Sequence, residues 1–341
     1  MNSKRLAFLV ALFLVLNAFA GLFISADSND VQESVFISQN TNAVQREEYI
    51  VDLNVDLSNS NYSEALTHRD LKTAKTIAEE VFKLYEEEIN KVSKDIEIID
   101  KIYLYLPSFL IKATSDEKKL LENLDFIKKI YKNEELEAAR GIGSSEMLFK
   151  DWSEPRVEKS MMISSNDMIG NNTDLLSKYN GEGSVLAIID GNMDPTHEAF
   201  YLSLGTKPRL SIKDIENYIS AEGFSVKGKA SELFRSSKVP FGWNYQTNSY
   251  DLNPEKEKEA HGQHVSGTVA GNKVAIGNKL WRGVAPEAQL LMMNVMSKGS
   301  TSGWVYSRAM TDAIAMDADA VNMSLGGRKA VGESTEGKVR E

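Results

Sequence analysis

The first half of the chain alternates between polar and amphipathic stretches, a pattern that predicts a small α+β domain. Residues 27–70 are polar and rich in Asn, Ser and Asp, which predicts a flexible lead segment. From Lys72 to Val92, apolar side chains recur at helical spacing between Glu and Lys residues, which predicts an amphipathic helix. The stretches 96–106 and 109–114 are rich in Ile, Tyr and Leu and lie on either side of Pro107, so they predict strands.

A second helix is predicted after these strands. Thr114 and Glu117 make the capping-box pattern that begins many helices. An apolar stripe follows at Leu120, Leu124, Ile127 and Tyr131. We expect a small sheet with helices on one face to bury both helical stripes.

The pattern changes in the middle of the chain. Residues 141–183 lose periodicity and hold many Ser, Asn and Gly residues, which predicts a linker with one short helix at 175–179. Gly181 and Gly183 mark a turn. The continuous apolar run 184–189 then predicts a parallel strand that is buried on both faces.

The second half predicts a doubly wound α/β domain. Residues 289–295 resemble the first buried strand, residues 304–316 fit a helix, and residues 320–325 predict another strand. A strand, a helix and a strand of these lengths make a βαβ unit, which implies a parallel sheet. The polar segment 201–258 has weak patterning and predicts a surface insertion.

The N-terminus predicts export from the cytoplasm. Basic residues 4–5 precede the apolar run 6–16, and small residues follow at Ala18, Ala20 and Ala26. This arrangement is typical of a secretory signal peptide, which we assign to residues 1–26. The alternative is an uncleaved membrane anchor, because apolar residues continue to Ile24. Either interpretation makes the protein secreted or part of the cell envelope.

Composition excludes several classes of function. The net charge of −10 argues against nucleic acid and against anionic membrane surfaces as partners. The absence of cysteine excludes disulfides, a thiol nucleophile and thiolate metal ligands. A metal centre rich in histidine is not expected, because the chain has four histidines, His68, His197, His261 and His264.

Asp190 and His261 are the candidate chemical groups. Asp190 ends a predicted buried strand, where open α/β sheets place functional side chains, and its carboxylate could fix an imidazole tautomer. On its motif alone, a turn or helix-capping role is more common. His261 begins the segment HGQHVSGTVAG, a predicted helix whose N-terminus would keep the imidazole neutral and able to act as a base. The alternative is a histidine satisfied within the core.

The other candidates allow plainer interpretations. His264 could share a helical side with His261, but no Glu-x-x-His context or third ligand supports a metal pair, so we expect a packing role. We interpret His197 as a structural residue of a turn. We interpret His68 as a solvent-exposed residue of the polar lead. The small residues at 324–327 end a strand and could leave an edge for an extended peptide, although a turn explains them equally.

Four segments taken together resemble the subtilisin family of serine peptidases. They are IIDGNMDPTHEAF, HGQHVSGTVAG, GVAPEAQLLMMNV and VNMSLGG, in the family's order along the chain. The HEAF ending and the long insertion between Asp190 and His261 are most similar to the large cell-envelope subtilases of the lactocepin and complement-cleaving type. The resemblance covers residues 175–327, about half the chain.

The resemblance implies roles for particular residues. Asp190 would orient the imidazole of His261, which would be the general base and acid. Ser324, Leu325 and Gly326 match the stretch that lines the specificity pocket and pairs with the substrate backbone. Bound calcium is common in this family. No loop of oxygen ligands is evident in this sequence, so no cofactor is expected.

The resemblance also implies a domain organisation. The region 96–131 is similar in pattern to the family's propeptide, which assists folding and blocks the cleft until it is removed. We therefore expect a propeptide at 27–150, centred on 72–135, then a linker at 151–183 and a truncated subtilisin-like domain at 184–341. Cleavage of the propeptide is expected between residues 150 and 165.

Two departures from the family pattern matter. Gly191 and Asn192 stand where the family usually has Thr or Ser and then Gly. The family's nucleophile lies in a Gly-Thr-Ser-Met-Ala motif, which these 341 residues do not contain, and its oxyanion-hole asparagine also lies beyond the matched segments. Because each of these groups contributes on the order of a hundredfold or more in rate, we expect this polypeptide alone to be inactive.

The sequence therefore predicts part of a secreted serine endopeptidase precursor that acts on protein or peptide substrates. Two alternatives remain open. One is a non-catalytic relic of such an enzyme that binds extended peptides, and the other is a free-standing protease inhibitor or folding chaperone built on the first half.

Overall fold

The computed structural model describes residues 45–55, 60–138, 166, 168, 178–221, 224–252, 260–276 and 279–326. The predicted signal peptide lies outside the described residues, as do most of the predicted linker and the last fifteen residues of the chain. Within the described part, no helix is long and apolar enough to cross a membrane.

Where the structure describes it, the N-terminal half contains an antiparallel sheet and three helices. Its elements are β1 (Glu47–Leu53), α1 (Ser60–Thr67), α2 (Leu71–Val92), β2 (Glu97–Ile102), β3 (Ser108–Ala113), α3 (Ser115–Leu121), β4 (Ile127–Lys132) and β5 (Glu135–Ala138). Four of the strands form one sheet in the order β2-β3-β1-β4. The helix predicted between Lys72 and Val92 is confirmed as α2, which begins after the N-cap Asp70.

Side chains from α2 and from the sheet form the core of this half. Phe82 is buried on α2, and its ring lies 4.7 Å from that of Phe109 and 4.8 Å from that of Tyr103, measured between centroids. Ala74 and Ala78 on the same face are fully buried, because small side chains let the helix approach the strands closely. The predicted amphipathic stripe is therefore the surface that joins helix to sheet.

Two predictions for this half are wrong. The polar lead was expected to continue to residue 70, but β1 is a central strand with Ile50 and Val51 fully buried. Its apolar residues form a strand because β3 and β4 pair with it on both sides. The predicted capping box at Thr114 and Glu117 is present, but the helix that it begins ends at Leu121.

The end of α3 explains the second error. Asn123 donates its side-chain amide to the carbonyl of Lys119, which satisfies an acceptor at the helix end. The chain then turns, and Ile127 and Tyr131 lie on β4 instead of continuing the helical stripe. The pairing of β4 with β1 therefore outweighs the local helical spacing.

The second half is built on a parallel sheet. Its elements are β6 (Val185–Asp190), α4 (Ile212–Ser220), α5 (Ala230–Leu233), β7 (Phe241–Asn244), α6 (His261–Ala270), β8 (Val274–Ile276), β9 (Lys279–Trp281), β10 (Gln289–Asn294), β11 (Ser300–Ser302), α7 (Gly303–Ala315), β12 (Ala320–Met323) and β13 (Leu325–Gly326). The parallel strands lie in the order β12-β6-β10-β7.

Alternate residues of the central strands contact different helices. Ala187 and Ile189 on β6 belong to a core cluster that includes Tyr306 of α7. Ile188, between them, belongs to a separate cluster that includes Ala270 of α6. Because successive side chains of a strand point to opposite faces, α6 and α7 cover opposite faces of the sheet. The predicted doubly wound α/β class is thereby confirmed.

The prediction of a surface insertion at 201–258 is wrong for its central part. β7 adds a fourth strand to the sheet, and all four of its residues are buried. Leu233, Val239 and Tyr245 also have less than 2% of their surface exposed. The segment lacks a clear pattern because its apolar residues are spread over short elements, which tertiary contacts hold together.

A buried carboxylate ties α7 to this segment. Asp312 is fully buried and accepts hydrogen bonds from the backbone and hydroxyl of Ser225, at 3.1 and 2.7 Å, and from the hydroxyl of Tyr245 at 2.9 Å. Burial raises the pKa of Asp312 to about 6, although these donors and nearby Arg308 oppose the rise. The carboxyl is therefore easier to protonate in the folded chain than in the unfolded chain.

We predict that the free energy of unfolding contains a contribution from Asp312 that disappears as pH rises. The contribution is complete below the unfolded pKa of 3.8 and is lost as pH passes through about 6. That difference in pKa corresponds to roughly 3 kcal/mol. The wild type should lose this contribution as pH rises from 4 to 8, whereas Asp312→Asn should not. The stability of the variant minus that of the wild type should therefore increase over this range, measured by denaturant unfolding at each pH.

The exposed Asp116→Asn is the control, because its side chain is 89% exposed. Because exposed substitutions usually change stability by about 0.5 kcal/mol or less, that variant should stay within about 0.5 kcal/mol of the wild type at each pH. A difference between Asp312→Asn and the wild type that does not change with pH would contradict the prediction.

Candidate active site

Asp190 lies at the carboxyl end of a central strand. It is the last residue of β6 and has no exposed surface. Its backbone is held by β10, because Asn294 pairs with it in register and the Val295 amide donates to its carbonyl at 2.9 Å. The carboxylate therefore extends from a rigid part of the sheet.

His261 is the first residue of α6 and contacts that carboxylate. The distance between His261 Nδ1 and Asp190 Oδ1 is 2.7 Å. Because an ionised carboxylate can only accept, Nδ1 carries the proton and the second ring nitrogen, Nε2, is the basic one. The His261 side chain is 23% exposed, so the ring connects a buried charge to the protein surface.

The close approach of α6 to the loop after β6 requires a glycine. A Cβ atom at Gly262 would lie 2.5 Å from the carbonyl oxygen of Gly191, a contact that real side chains do not make. Gly262 thus lets the first turn of the helix contact the backbone beside Asp190.

The Asp190 carboxylate has an unequal set of partners. Oδ1 accepts from both His261 and the backbone amide of Gly191, the latter at 2.6 Å. Oδ2 is buried and has no hydrogen-bond partner among the residues that the structure describes. The pairing with His261 therefore depends on one oxygen.

The other histidines lie in different surroundings. His264 is exposed one turn along α6, and His68 is exposed in the N-terminal half. His197 accepts a hydrogen bond at Nδ1 from the Ala199 amide at 3.1 Å, which stabilises its own turn. No group of three or more His, Cys, Asp or Glu side chains with metal-binding geometry occurs among the described residues.

The predicted peptide-pairing stretch is joined to the N-terminal half. Leu325 and Gly326 form β13, which pairs antiparallel with β5, and β11 pairs with the other edge of β5. Leu136, in the middle of β5, is 4% exposed and packs with the core of the parallel-sheet half. A strand of the first half thus lies between two strands of the second.

The register shows where β5 leads. Ala138, its last residue, pairs with Leu325, so the strand runs towards Ser324. Ser324 follows Met323, which pairs with Ile189, the residue before Asp190. The carboxyl end of β5 is therefore directed towards the rim of the sheet that carries Asp190. β5 was not predicted, because its signal in the sequence is a short alternation of Glu, Leu, Glu and Ala.

The N-terminal half also covers the start of α7. Trp304 is 4% exposed, and its indole donates to Asp100 at 2.8 Å. Its backbone amide donates to the side chain of Asn133 at 3.0 Å, and the Gly303 amide donates to the carbonyl of Glu134 at 3.3 Å. The first amides of a helix lack partners within the helix, and here the N-terminal half supplies them.

Comparisons with known proteins agree on the second half of the chain. The Peptidase_S8 profile, described as the Subtilase family, matches residues 181–340. A PII-type proteinase of Lactococcus lactis subsp. cremoris is 38% identical over 154 residues, which are 44% of this chain and 8% of that protein. A C5a peptidase of Streptococcus pyogenes serotype M1 is 34% identical over 151 residues, 43% of this chain and 12% of that protein.

Among solved structures, an epidermin leader peptide processing serine protease from Staphylococcus aureus aligns with a TM-score of 0.44 at 16% identity. The alignment covers 85% of this chain and 53% of that one, and we base no conclusion on it. The chain spans about a tenth of the length of the two sequence relatives. The profile and the two sequence relatives agree that residues 181–340 are a subtilase domain segment.

Proposed function

We propose that this chain supplies the acid–base pair of an exported serine endopeptidase. The observation that carries the proposal is the 2.7 Å contact between His261 Nδ1 and Asp190 Oδ1. The membership of residues 181–340 in the subtilase family supports it, as do the names of the relatives, which are a proteinase and a C5a peptidase. Export is supported by the basic and apolar N-terminal segment.

The chemistry of the pair follows from its geometry. His261 Nε2 takes the proton of a serine hydroxyl while the serine oxygen bonds to the carbonyl carbon of the peptide. The imidazolium then gives that proton to the departing amine, which leaves an acyl-enzyme for water to hydrolyse. Asp190 stays ionised throughout, fixes the tautomer of His261 and stabilises its positive charge.

The serine is expected to come from sequence that these 341 residues do not include. They contain no Gly-Thr-Ser-Met-Ala motif. We therefore propose that the chain hydrolyses peptides only when it is continued by a segment that carries the nucleophile and an oxyanion donor.

We further propose that the N-terminal half inhibits the same site. β5 pairs on both edges with strands of the subtilase segment, as an extended substrate would in strand addition. The buried side chain of Leu136 and the hydrogen bond between Trp304 and Asp100 hold this half in place. In this arrangement Ser324, Leu325 and Gly326 line the substrate cleft. The boundary between the N-terminal half and the peptidase domain lies after β5.

The catalytic assignment predicts the effects of three substitutions. In the polypeptide extended by its downstream coding sequence, Asp190→Asn should lower the rate of hydrolysis of an unfolded protein by about 10⁴-fold, because the imidazole loses its fixed tautomer. His261→Ala should lower it by at least about 10³-fold. His264→Ala is the matched control, exposed one turn away, and its rate should stay within about twofold of the wild type.

Hydrolysis that survives Asp190→Asn or His261→Ala would overturn the assignment. If the extended wild type itself hydrolyses nothing, the chain is not part of an active enzyme. The non-catalytic relic would then be the better account.

The inhibitory arrangement predicts a different response. Leu136→Asp places a charge without a partner in an apolar pocket, which should separate β5 from its neighbours. We expect amide hydrogen exchange at 300–302 and 325–326 to become faster by about tenfold or more, measured by mass spectrometry on the full chain. Glu135→Gln, at the exposed neighbouring position, should leave exchange unchanged. Equal protection in both variants would show that β5 does not hold this site.

A further inference from the structure

A pair of buried amides lies beside the loop that follows Asp190. Asn192 is 3% exposed and Asn294 is fully buried. Asn294 donates its Nδ2 to Asn192 Oδ1 at a distance of 2.5 Å. The orientation of the Asn294 amide is set by its other contact, because the Met296 backbone amide is a donor and meets Asn294 Oδ1 at 3.0 Å.

The pair connects the loop that follows Asp190 to the end of β10. Asn294 ends β10 and lies beside Asp190 in the parallel register. The backbone carbonyl of Asn192 accepts from the amide of Gln263, two residues after His261, at 3.1 Å. Asn192 therefore connects the strand that carries Asp190 to the first turn of the helix that carries His261.

A second contact reinforces the same junction. The side chain of Gln263 accepts from the Asp194 amide at 2.7 Å through Oε1. The loop from Gly191 to Asp194 is thus hydrogen-bonded both to α6 and to the end of β10. Its conformation is set by amide groups, which add no net charge next to the carboxylate.

The carboxylate has few other restraints. Asp190 Oδ2 has no hydrogen-bond partner in the described part of the chain, and Oδ1 is shared between His261 and Gly191. The residue after Asp190 is Gly191, which has no side chain, and the next is Asn192, whose side chain is buried. The first side chain of the loop that can restrain the position of the carboxylate is therefore that of Asn192.

From these contacts we propose that Asn192 and Asn294 are positioning residues that act as a unit to hold Asp190 against His261. The inference rests on the proposed catalytic role of Asp190 and His261. Neither amide touches the reacting atoms. Their effect passes through the backbone of the loop 191–194 and through the register between β6 and β10.

The test is an NMR measurement on the full 341-residue chain, which needs no activity. The proton of His261 Nδ1 that is donated to Asp190 should give a signal far downfield, and its exchange rate with water reports how firmly the pair is held. We expect Asn192→Gly and Asn294→Leu each to raise that rate by about tenfold, an amount comparable to the net contribution of one buried hydrogen bond. The double variant should exchange no faster than about the faster single variant, because the two side chains act through one contact.

Asn272→Ala is the matched control. Asn272 is also a buried amide of this half, but it donates to Glu287 and to the carbonyl of Tyr201, away from the loop after Asp190. Its loss should lower the free energy of unfolding without changing the exchange of the His261 proton. A general loss of stability is thereby separated from a loss of positioning.

Exchange within twofold of the wild type in Asn192→Gly would overturn the proposal, and so would independent, multiplying effects in the double variant. If Asn294→Leu does not fold, Asn192→Gly alone decides, since it removes the side-chain amide and adds no bulk to the loop. An extended protein that hydrolyses nothing while the NMR effects are present would contradict the proposed function and leave the positioning role intact. Hydrolysis by the extended wild type together with unchanged exchange would contradict the positioning role alone.

Discussion

The short contact between the end of β6 and the start of α6 is the interaction on which the rest of the account depends. It brings a fully buried carboxylate to within 2.7 Å of an imidazole that is 23% exposed. The approach is possible because Gly262 has no side chain where the Gly191 carbonyl passes. The parallel sheet supplies the rigidity, since β6 is paired on both sides and helices cover both of its faces. A flexible carboxylate would have to be ordered during each reaction, whereas one held by the sheet is already in position.

The N-terminal half and the subtilase segment form a single connected structure. Strand β5 lies between β11 and β13, and the same half supplies hydrogen-bond acceptors to the first amides of α7. If the N-terminal half has the inhibitory role proposed above, these are the contacts that would hold it in place. They also mean that release of the N-terminal half would expose Trp304 and leave the start of α7 without these acceptors. The contacts between the two halves are therefore part of the packing of this chain.

Sequence patterns predicted the elements whose signal is local. The continuous apolar run before Asp190 gave a buried strand because both faces of β6 are covered, and Thr114 with Glu117 made a capping box because its hydrogen bonds span three residues. The patterns failed where distant pairing decides the structure. β1 lies in a stretch that is polar on average, and β5 has four residues, so neither is apparent without its partners. The contact between Asp190 and His261 was anticipated from the family resemblance, but the amide pair of Asn192 and Asn294 is visible only in three dimensions.

The most direct test of the central claim is a crystal structure of this chain. The account predicts His261 Nδ1 and Asp190 Oδ1 in hydrogen-bond contact, near 2.7 Å, with Gly262 against the Gly191 carbonyl. It would be contradicted by a structure in which the two side chains lie beyond about 3.5 Å with each bonded to other groups.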